Sequence, residues 1–245
     1  SDASERVDGP HGSAYSDDEQ FASSLQEQDL IMVTTFLEEA ARGEAPPLVP
    51  ITVELYHQMI DRGILRDGDP IELIDGLLVR KDRSARGESL MSHGHRHTFL
   101  VKYFVRLLVD WCRTCGCHLQ IQLPVALSEI NAPEPDLCIV RGREEDYIKR
   151  HPGPTDLPLV IEVADSSVST DRSTKQRLYA TAGIPVYWIV NIPDAQVEVY
   201  EQPNAASGKY LPPTIYRAGQ TVRFSLADQT IDIDIIKLID AKRGV

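Results

Sequence analysis

Residues 157–192, LPLVIEVADSSVSTDRSTKQRLYATAGIPVYWIVNI, decide the fold. They begin with a strand-like segment over 157–165. It contains the apolar run 159–163, which is typical of a strand that is buried on both faces of a sheet. A helical pattern follows over 171–182 and ends at Gly183, because glycine tolerates the left-handed conformation that commonly closes a helix. Residues 186–192 then predict a second strand. A helix of this length between two strands predicts a crossover connection in a mixed sheet.

The flanking segments extend this sheet in both directions. The sequence predicts a hairpin between 186–192 and 196–202, and further short strands over 210–240. Upstream, Asp75-Gly76 marks a two-residue hairpin turn within 71–81. The remaining upstream segments are two predicted helices over 53–63 and 93–115, and two predicted strands over 118–127 and 135–140. Helices and strands alternate, so we predict one domain of α/β or α+β type, with a mixed β-sheet core flanked by helices and with extra N-terminal and C-terminal strands.

Composition divides the chain into a tail and a domain. The 245 residues carry a net charge of −12, and residues 1–45 account for −9 of it, because they contain eleven acidic and two basic residues. We predict that 1–45 form an acidic tail, disordered to about residue 30 with a short helix over 31–42, and that 46–245 form the domain.

The rest of the composition excludes several classes of protein. No apolar stretch approaches the ~20 residues of a membrane-spanning helix, and the N-terminal residues lack the pattern of a secretory signal. Four cysteines are too few for a disulfide scaffold, so a cytoplasmic location is the default expectation. Residues 46–245 contain 26 acidic and 23 basic residues. This balance argues against tight, sequence-independent DNA binding.

Three ionisable residues fall where apolar residues are expected. Glu162 interrupts the apolar run 159–163, and a buried carboxylate must be paired, protonated or bound to a cation. Asp136 opens a neighbouring predicted strand, so the two carboxylates should converge in a pair that attracts a hard divalent cation. Lys175 shares a helix face with Leu178 and Tyr179 and needs an anionic partner there. The alternatives are a structural ion pair for Glu162, a turn residue for Asp136 and a side chain that extends to solvent for Lys175.

Three further features have simpler interpretations. A histidine pair, His93 and His97, has metal-binding spacing, but a hydrogen-bonded core histidine explains His97 as well. Glu72 alternates with apolar residues and is, by itself, a solvated strand residue. The CxxCxC motif at Cys112, Cys115 and Cys117 lacks a second ligand pair, so buried thiols explain it better than a zinc site.

Taken together, these residues resemble the PD-(D/E)xK restriction-endonuclease-like superfamily and, more narrowly, its bacterial Uma-type restriction endonuclease family. The similarity spans residues 53–200. It consists of these stretches in order: Glu72-Leu-Ile-Asp75-Gly76, Arg96-His97, Glu134-Pro-Asp136, Ile161-Glu162-Val163, Asp171-Arg172-x-x-Lys175, Tyr179-Ala180, and Ala182-Gly183-Ile184-Pro185-Val-Tyr-Trp188.

The resemblance implies a restriction-endonuclease-like fold and a metal-dependent nuclease that hydrolyses DNA. In this family Asp136 and Glu162 would hold Mg²⁺ or Mn²⁺, and Lys175 would complete the catalytic set. The resemblance places Glu72, His97 and Tyr179 in auxiliary positions. The chain departs from the superfamily motif at Ala164, where a lysine is usual; in the Uma-type pattern the lysine comes from the following helix.

Two other classes of function remain open. One is a catalytically inactive nuclease-fold module that binds DNA or protein. The other is a structural or regulatory homodimer, in which Asp136, Glu162 and Lys175 form only a buried ion network.

Overall fold

The computed structural model describes residues 27–66, 68–81 and 94–235, with side chains described from residue 32 onward. The disorder predicted for the start of the tail, up to residue 26, lies outside the described residues, as does His93 of the predicted histidine pair. The described residues divide into two units between Val49 and Pro50. The first unit contains helix α1, which begins at Glu27 instead of the predicted residue 31.

Four helices and ten strands are present in the described residues. The helices are α1 (Glu27–Ala41), α2 (Val53–Asp61), α3 (His95–Thr114) and α4 (168–181), the last containing a π-helical stretch at Asp171–Lys175. No helix in the described part of the chain has the length and apolar character needed to cross a membrane. The strands are β1 (Ile71–Ile74), β2 (Leu77–Arg80), β3 (Cys117–Ile121), β4 (Leu137–Arg141), β5 (Leu159–Ala164), β6 (Val186–Asn191), β7 (Gln196–Glu201), β8 (Thr214–Arg217), β9 (Thr221–Leu226) and β10 (Gln229–Asp234).

Six of these strands form one mixed sheet, in the order β3-β4-β5-β6-β7-β8. Strands β5 and β6 are parallel, as the crossover helix α4 requires, and every other neighbouring pair is antiparallel. The β1–β2 and β9–β10 hairpins are the extra strands at the two ends of the domain. The predicted fold class, a mixed sheet with flanking helices and added terminal strands, is therefore confirmed.

The sheet is covered on both faces, which explains why β5 is apolar throughout. Side chains alternate between the faces along each strand, so Ile139 of β4 faces helix α3 and Cys138 faces helix α4. The α3 side buries Trp188 and the β9–β10 hairpin. The α4 side buries Tyr179 and Tyr187, whose ring centroids lie 4.9 Å apart.

The β1–β2 hairpin has the turn that its sequence predicts. Asp75 and Gly76 both have positive φ values, 51° and 74°, which the Asp-Gly dipeptide adopts readily. Glycine is also required for space, because a Cβ atom at Gly76 would lie 2.3 Å from the Cβ of Pro50. The turn places β1 against the domain, where Leu73 is fully buried.

An ionic cluster around Glu198 connects α4 to the sheet. Glu198 of β7 is 1% exposed and its carboxylate accepts two hydrogen bonds from Arg172 of α4, at 2.5 and 3.0 Å. Asn191, Gln196 and Tyr200 donate to the same carboxylate. Burial alone would raise the pKa of Glu198, but the hydrogen bonds from Arg172 and the three neutral donors outweigh it and lower the pKa to about 2.

Glu198 should therefore stabilise the fold at neutral pH. Because its pKa is lower in the folded than in the unfolded protein, this contribution is present above about pH 4.5 and is lost as the pH falls toward about 2. We expect Glu198→Gln to lower the free energy of unfolding at pH 7 by roughly 1–2 kcal/mol, because solvent screens the half-exposed Arg172, and by less at pH 3. Urea denaturation at both pH values measures this. Equal losses at pH 7 and pH 3 would show that packing, not charge, gives Glu198 its role.

Candidate active site

Asp136, directly before β4, and Glu162 of β5 lie side by side on the α4 side of the sheet. Strands β4 and β5 are antiparallel with Leu137 opposite Ile161, so the next pair in the register is Asp136 and Glu162. The backbone N–H of Asp136 donates to Glu162 Oε2 at 3.2 Å. The site is therefore fixed by sheet pairing, which is more rigid than a loop.

Asp136 is held in its ionised form. Its Oδ2 accepts a hydrogen bond from the backbone N–H of Val163 at 2.9 Å and lies 3.0 Å from Nε2 of His97, and its Oδ1 accepts from Gln122 at 3.1 Å. Burial would raise the pKa of Asp136, but the hydrogen bonds and the contact with His97 outweigh it and hold the pKa below its ordinary value. His97, at the start of α3, is thus a hydrogen-bonded partner of Asp136.

Glu162 has the opposite electrostatic environment. It is 5% exposed, and Tyr179 of α4 donates a hydrogen bond to its Oε1 at 2.7 Å. Burial raises the pKa of Glu162 to about 8; Lys175 opposes this shift, while Asp136 and other nearby carboxylates reinforce it. A neighbouring pair of carboxylates with pKa values displaced in opposite directions is typical of functional sites.

Lys175 connects Glu162 to the β1–β2 hairpin. Its Nζ lies 3.7 Å from Glu162 Oε1 and donates to Glu72 Oε1 at 2.5 Å. Burial alone would lower the pKa of Lys175, but the charges of Glu162 and Glu72 outweigh it and raise the pKa above its ordinary value. Lys175 therefore keeps its proton at neutral pH.

The prediction that Glu72, taken by itself, is a solvated strand residue was wrong. Glu72 is 4% exposed, and its Oε1 accepts from Lys175 and from the backbone N–H of Glu134 at 2.7 Å. The polar position of this alternating strand is covered by a helix that begins almost 100 residues later.

Two residues at the site were not predicted. Asp171 is 4% exposed on α4 and accepts a hydrogen bond from Ser167 at 2.6 Å. Burial raises the pKa of Asp171 to about 6, with Ser167 and Lys175 opposing the shift. Its spacing of four residues from Lys175 could have placed it on the same face. Gln122, which donates to Asp136, follows the end of β3 and carries no recognisable signal in the sequence.

The cysteines are not part of this site. All four are free thiols, with Cys112, Cys117 and Cys138 buried and Cys115 half-buried. Burial raises the pKa of Cys112 to about 12, so this thiol stays protonated. Among the described residues, no group of three or more His, Cys, Asp or Glu side chains is placed to hold a metal ion.

Comparison with known proteins connects this geometry to one family. The model of the Uma2 family, described as "Putative restriction endonuclease", matches residues 53–234. A solved structure titled "putative nuclease belonging to DUF820", from Anabaena variabilis ATCC 29413, superposes with a TM-score of 0.56 at 17% identity, covering 78% of this chain and 99% of that chain. No curated protein matches the chain.

The two matches support different conclusions. At 17% identity the structural likeness shows the fold. The family match includes every strand of the mixed sheet and all six of the residues proposed for the site, and it extends over more than half of the chain. The protein therefore belongs to the Uma2 family.

Proposed function

We propose that this protein is a metal-dependent nuclease that hydrolyses the phosphodiester bonds of DNA. Asp136 and Glu162 bind Mg²⁺ or Mn²⁺, Lys175 acts on the reacting phosphate, and Glu72, His97 and Tyr179 hold these three in place. The observation that carries the proposal is the pairing of Asp136 and Glu162 on one face of the sheet, with Lys175 3.7 Å from Glu162. Membership of a restriction endonuclease family supports it.

The donor set fits a hard divalent cation. Mg²⁺ is commonly bound by one or two carboxylates together with water and substrate phosphate oxygens. Three buried carboxylates, those of Glu72, Glu162 and Asp171, interact electrostatically with Lys175. A fourth, that of Asp136, interacts with Glu162 and Asp171. Such a cluster would repel a phosphodiester unless a cation reduced its negative charge. A bound divalent cation would also polarise a phosphoryl oxygen and lower the pKa of a coordinated water molecule.

The chain's own residues have distinct parts in this chemistry. Because Lys175 keeps its proton, it cannot act as a general base, and its ammonium instead offsets negative charge that develops on the phosphate in the transition state. Glu72 holds the ammonium through the 2.5 Å contact. Tyr179 and His97 orient Glu162 and Asp136 by hydrogen bonding, as the outer partners of metal ligands commonly do.

A catalytically inactive nuclease-fold binding or regulatory module is the alternative. The observation that favours it is Ala164, which is fully buried on β5 where the superfamily motif has lysine. In the proposed enzyme, Lys175 supplies the missing charge from α4.

Cleavage of DNA by the full-length protein tests the proposal. We expect supercoiled plasmid or single-stranded DNA to be cut in the presence of Mg²⁺ or Mn²⁺ and to stay intact with EDTA. Asp136→Asn is the matched inactive variant, because it keeps the size of the side chain and removes the charge. The same assay with RNA measures the preference for DNA.

Two results would contradict the proposal. Cleavage by Asp136→Asn at the wild-type rate would assign the activity to a contaminant or to another site. Wild-type protein that neither cuts DNA or RNA nor gains thermal stability with Mg²⁺ or Mn²⁺ would establish the binding-module alternative instead.

A further inference from the structure

Gln122 has an unusual backbone conformation beside the candidate site. Its φ is 49°, in the left-handed region that non-glycine residues other than Asn and Asp seldom adopt. Such conformations persist where the surroundings determine them, and they concentrate at functional sites. Gln122 directly follows β3, and its backbone N–H is shared between the carbonyl oxygens of Pro135 and Asp136, at 3.1 and 3.2 Å.

The strained backbone directs the side chain of Gln122 to Asp136. Its Nε2 donates to Asp136 Oδ1 at 3.1 Å. The backbone N–H and the side chain of Gln122 therefore both bind the chain segment that carries the Asp136 carboxylate. The other oxygen of Asp136, Oδ2, already faces two donors, the backbone N–H of Val163 and the ring of His97. A carboxylate oxygen has about two lone-pair directions. Among the contacts of the described residues, Oδ1 therefore keeps one direction for a cation.

We propose that Gln122 is a positioning residue that presents Oδ1 of Asp136 to the metal ion. This inference rests on the proposed function. It adds a residue that acts through Asp136 and that lies outside the stretches in which the sequence resembles the family. Gln122 fixes the rotation of the carboxylate, as the outer partners of metal ligands commonly do at a cost of about 10–100-fold in affinity or activity when they are removed.

The structure provides a matched control for the backbone. Gln202 is also a glutamine, it directly follows strand β7, and its φ is 54°. It is exposed and makes no described contact with the candidate site. Gln122→Gly and Gln202→Gly therefore relieve the same backbone strain and add the same freedom to the unfolded chain. Only Gln122→Gly removes the hydrogen bond to Asp136.

The experiment compares the two variants with wild type in Mg²⁺ binding and in cleavage. We expect Gln122→Gly to fold, because glycine accepts positive φ. Isothermal titration calorimetry without DNA should show Mg²⁺ affinity about tenfold weaker in Gln122→Gly and unchanged in Gln202→Gly. Steady-state cleavage should show kcat about tenfold lower for Gln122→Gly with KM for DNA unchanged, since Gln122 acts on the metal ligand and not on the substrate.

A second substitution tests whether the weaker Mg²⁺ binding comes from the loss of the hydrogen bond or from glycine itself. Gln122→Asn keeps an amide and tolerates the left-handed backbone, but it is one methylene shorter and does not reach Asp136. It should bind Mg²⁺ as weakly as Gln122→Gly. Wild-type Mg²⁺ affinity and kcat in both Gln122 variants would overturn this inference while leaving the proposed function standing. Wild-type protein that neither binds Mg²⁺ nor cleaves nucleic acid would overturn the proposed function and, with it, this inference.

Discussion

Glu162→Gln should reduce metal-dependent cleavage at least about 100-fold, and it should nevertheless leave the metal-free protein more stable at pH 8 than wild type. The loss of activity follows from the loss of one of two anionic metal ligands. The gain in stability follows from removing a buried charge whose surroundings disfavour it. Glutamine still accepts the hydrogen bond of Tyr179, but its amide nitrogen opposes the backbone N–H of Asp136. We therefore expect a gain of roughly 1 kcal/mol, the low end of what removing a buried ion gives.

The pH dependence of the unfolding free energy measures how much the charge of Glu162 destabilises the folded protein. The pKa of Glu162 is raised from 4.5 to about 8 in the folded protein. Between these two values the unfolded chain has released a proton that the folded protein retains, so the unfolding free energy of wild type should fall as the pH rises. This fall should be smaller in Glu162→Gln, leaving the part due to Asp171, whose pKa is raised to about 6. Urea denaturation in EDTA from pH 5 to pH 8 measures both slopes.

Glu198→Gln is the control, because Glu198 is also a buried glutamate but has its pKa displaced downward to about 2. The two substitutions should change stability at pH 8 in opposite directions. Adding Mg²⁺ should raise the stability of wild type, by about 2.7 kcal/mol at 100 times the dissociation constant, and should have little effect on Glu162→Gln. The opposite result is that Glu162→Gln is less stable than wild type and that its unfolding free energy changes with pH as it does in wild type. That result would identify Glu162 as part of a favourable ion network.

The main elements of the fold could be predicted from the sequence because each depends on local chemistry. The apolar run of β5 requires burial on both faces, and Gly183 and Pro185 end the crossover helix where the pattern stops. The Asp75-Gly76 turn fixes the β1–β2 hairpin. The strand predicted over 118–127 was too long, because β3 ends at Ile121. The left-handed backbone of Gln122 turns the chain away there, and a single sequence gives no sign of it.

The site was predictable only where a polar residue breaks an apolar pattern. Glu162 interrupts a buried strand and Lys175 interrupts a buried helix face, so both stand out without knowledge of the fold. Glu72 does not stand out, because it occupies the polar position of an alternating strand and its burial depends on contact with Lys175, 103 residues further along. The partnership of His97 with Asp136 depends in the same way on how α3 meets the sheet.

Lys175→Met should have the other large effect, and it should lower both stability and activity. Methionine has a similar length and no charge, so the substitution removes the ammonium that lies between Glu72 and Glu162 without leaving a large cavity. We expect the metal-free protein to lose roughly 3–5 kcal/mol at pH 8, the usual cost of leaving a buried charge without its partner. Cleavage should fall about 10²–10³-fold, as when one donor that stabilises transition-state charge is removed.

A double substitution separates the charge from the packing. In Lys175→Met combined with Glu72→Gln, one orphaned carboxylate is gone, so the double variant should be more stable than the sum of the two single losses predicts. Lys149→Met, at an exposed lysine, should change stability by no more than about 0.5 kcal/mol. Mg²⁺ should restore part of the stability of Lys175→Met, since the cation neutralises the same carboxylates, but it should not restore cleavage. Recovery of cleavage with added Mg²⁺ would show that Lys175 only holds the apo site together and that the reaction does not need its charge.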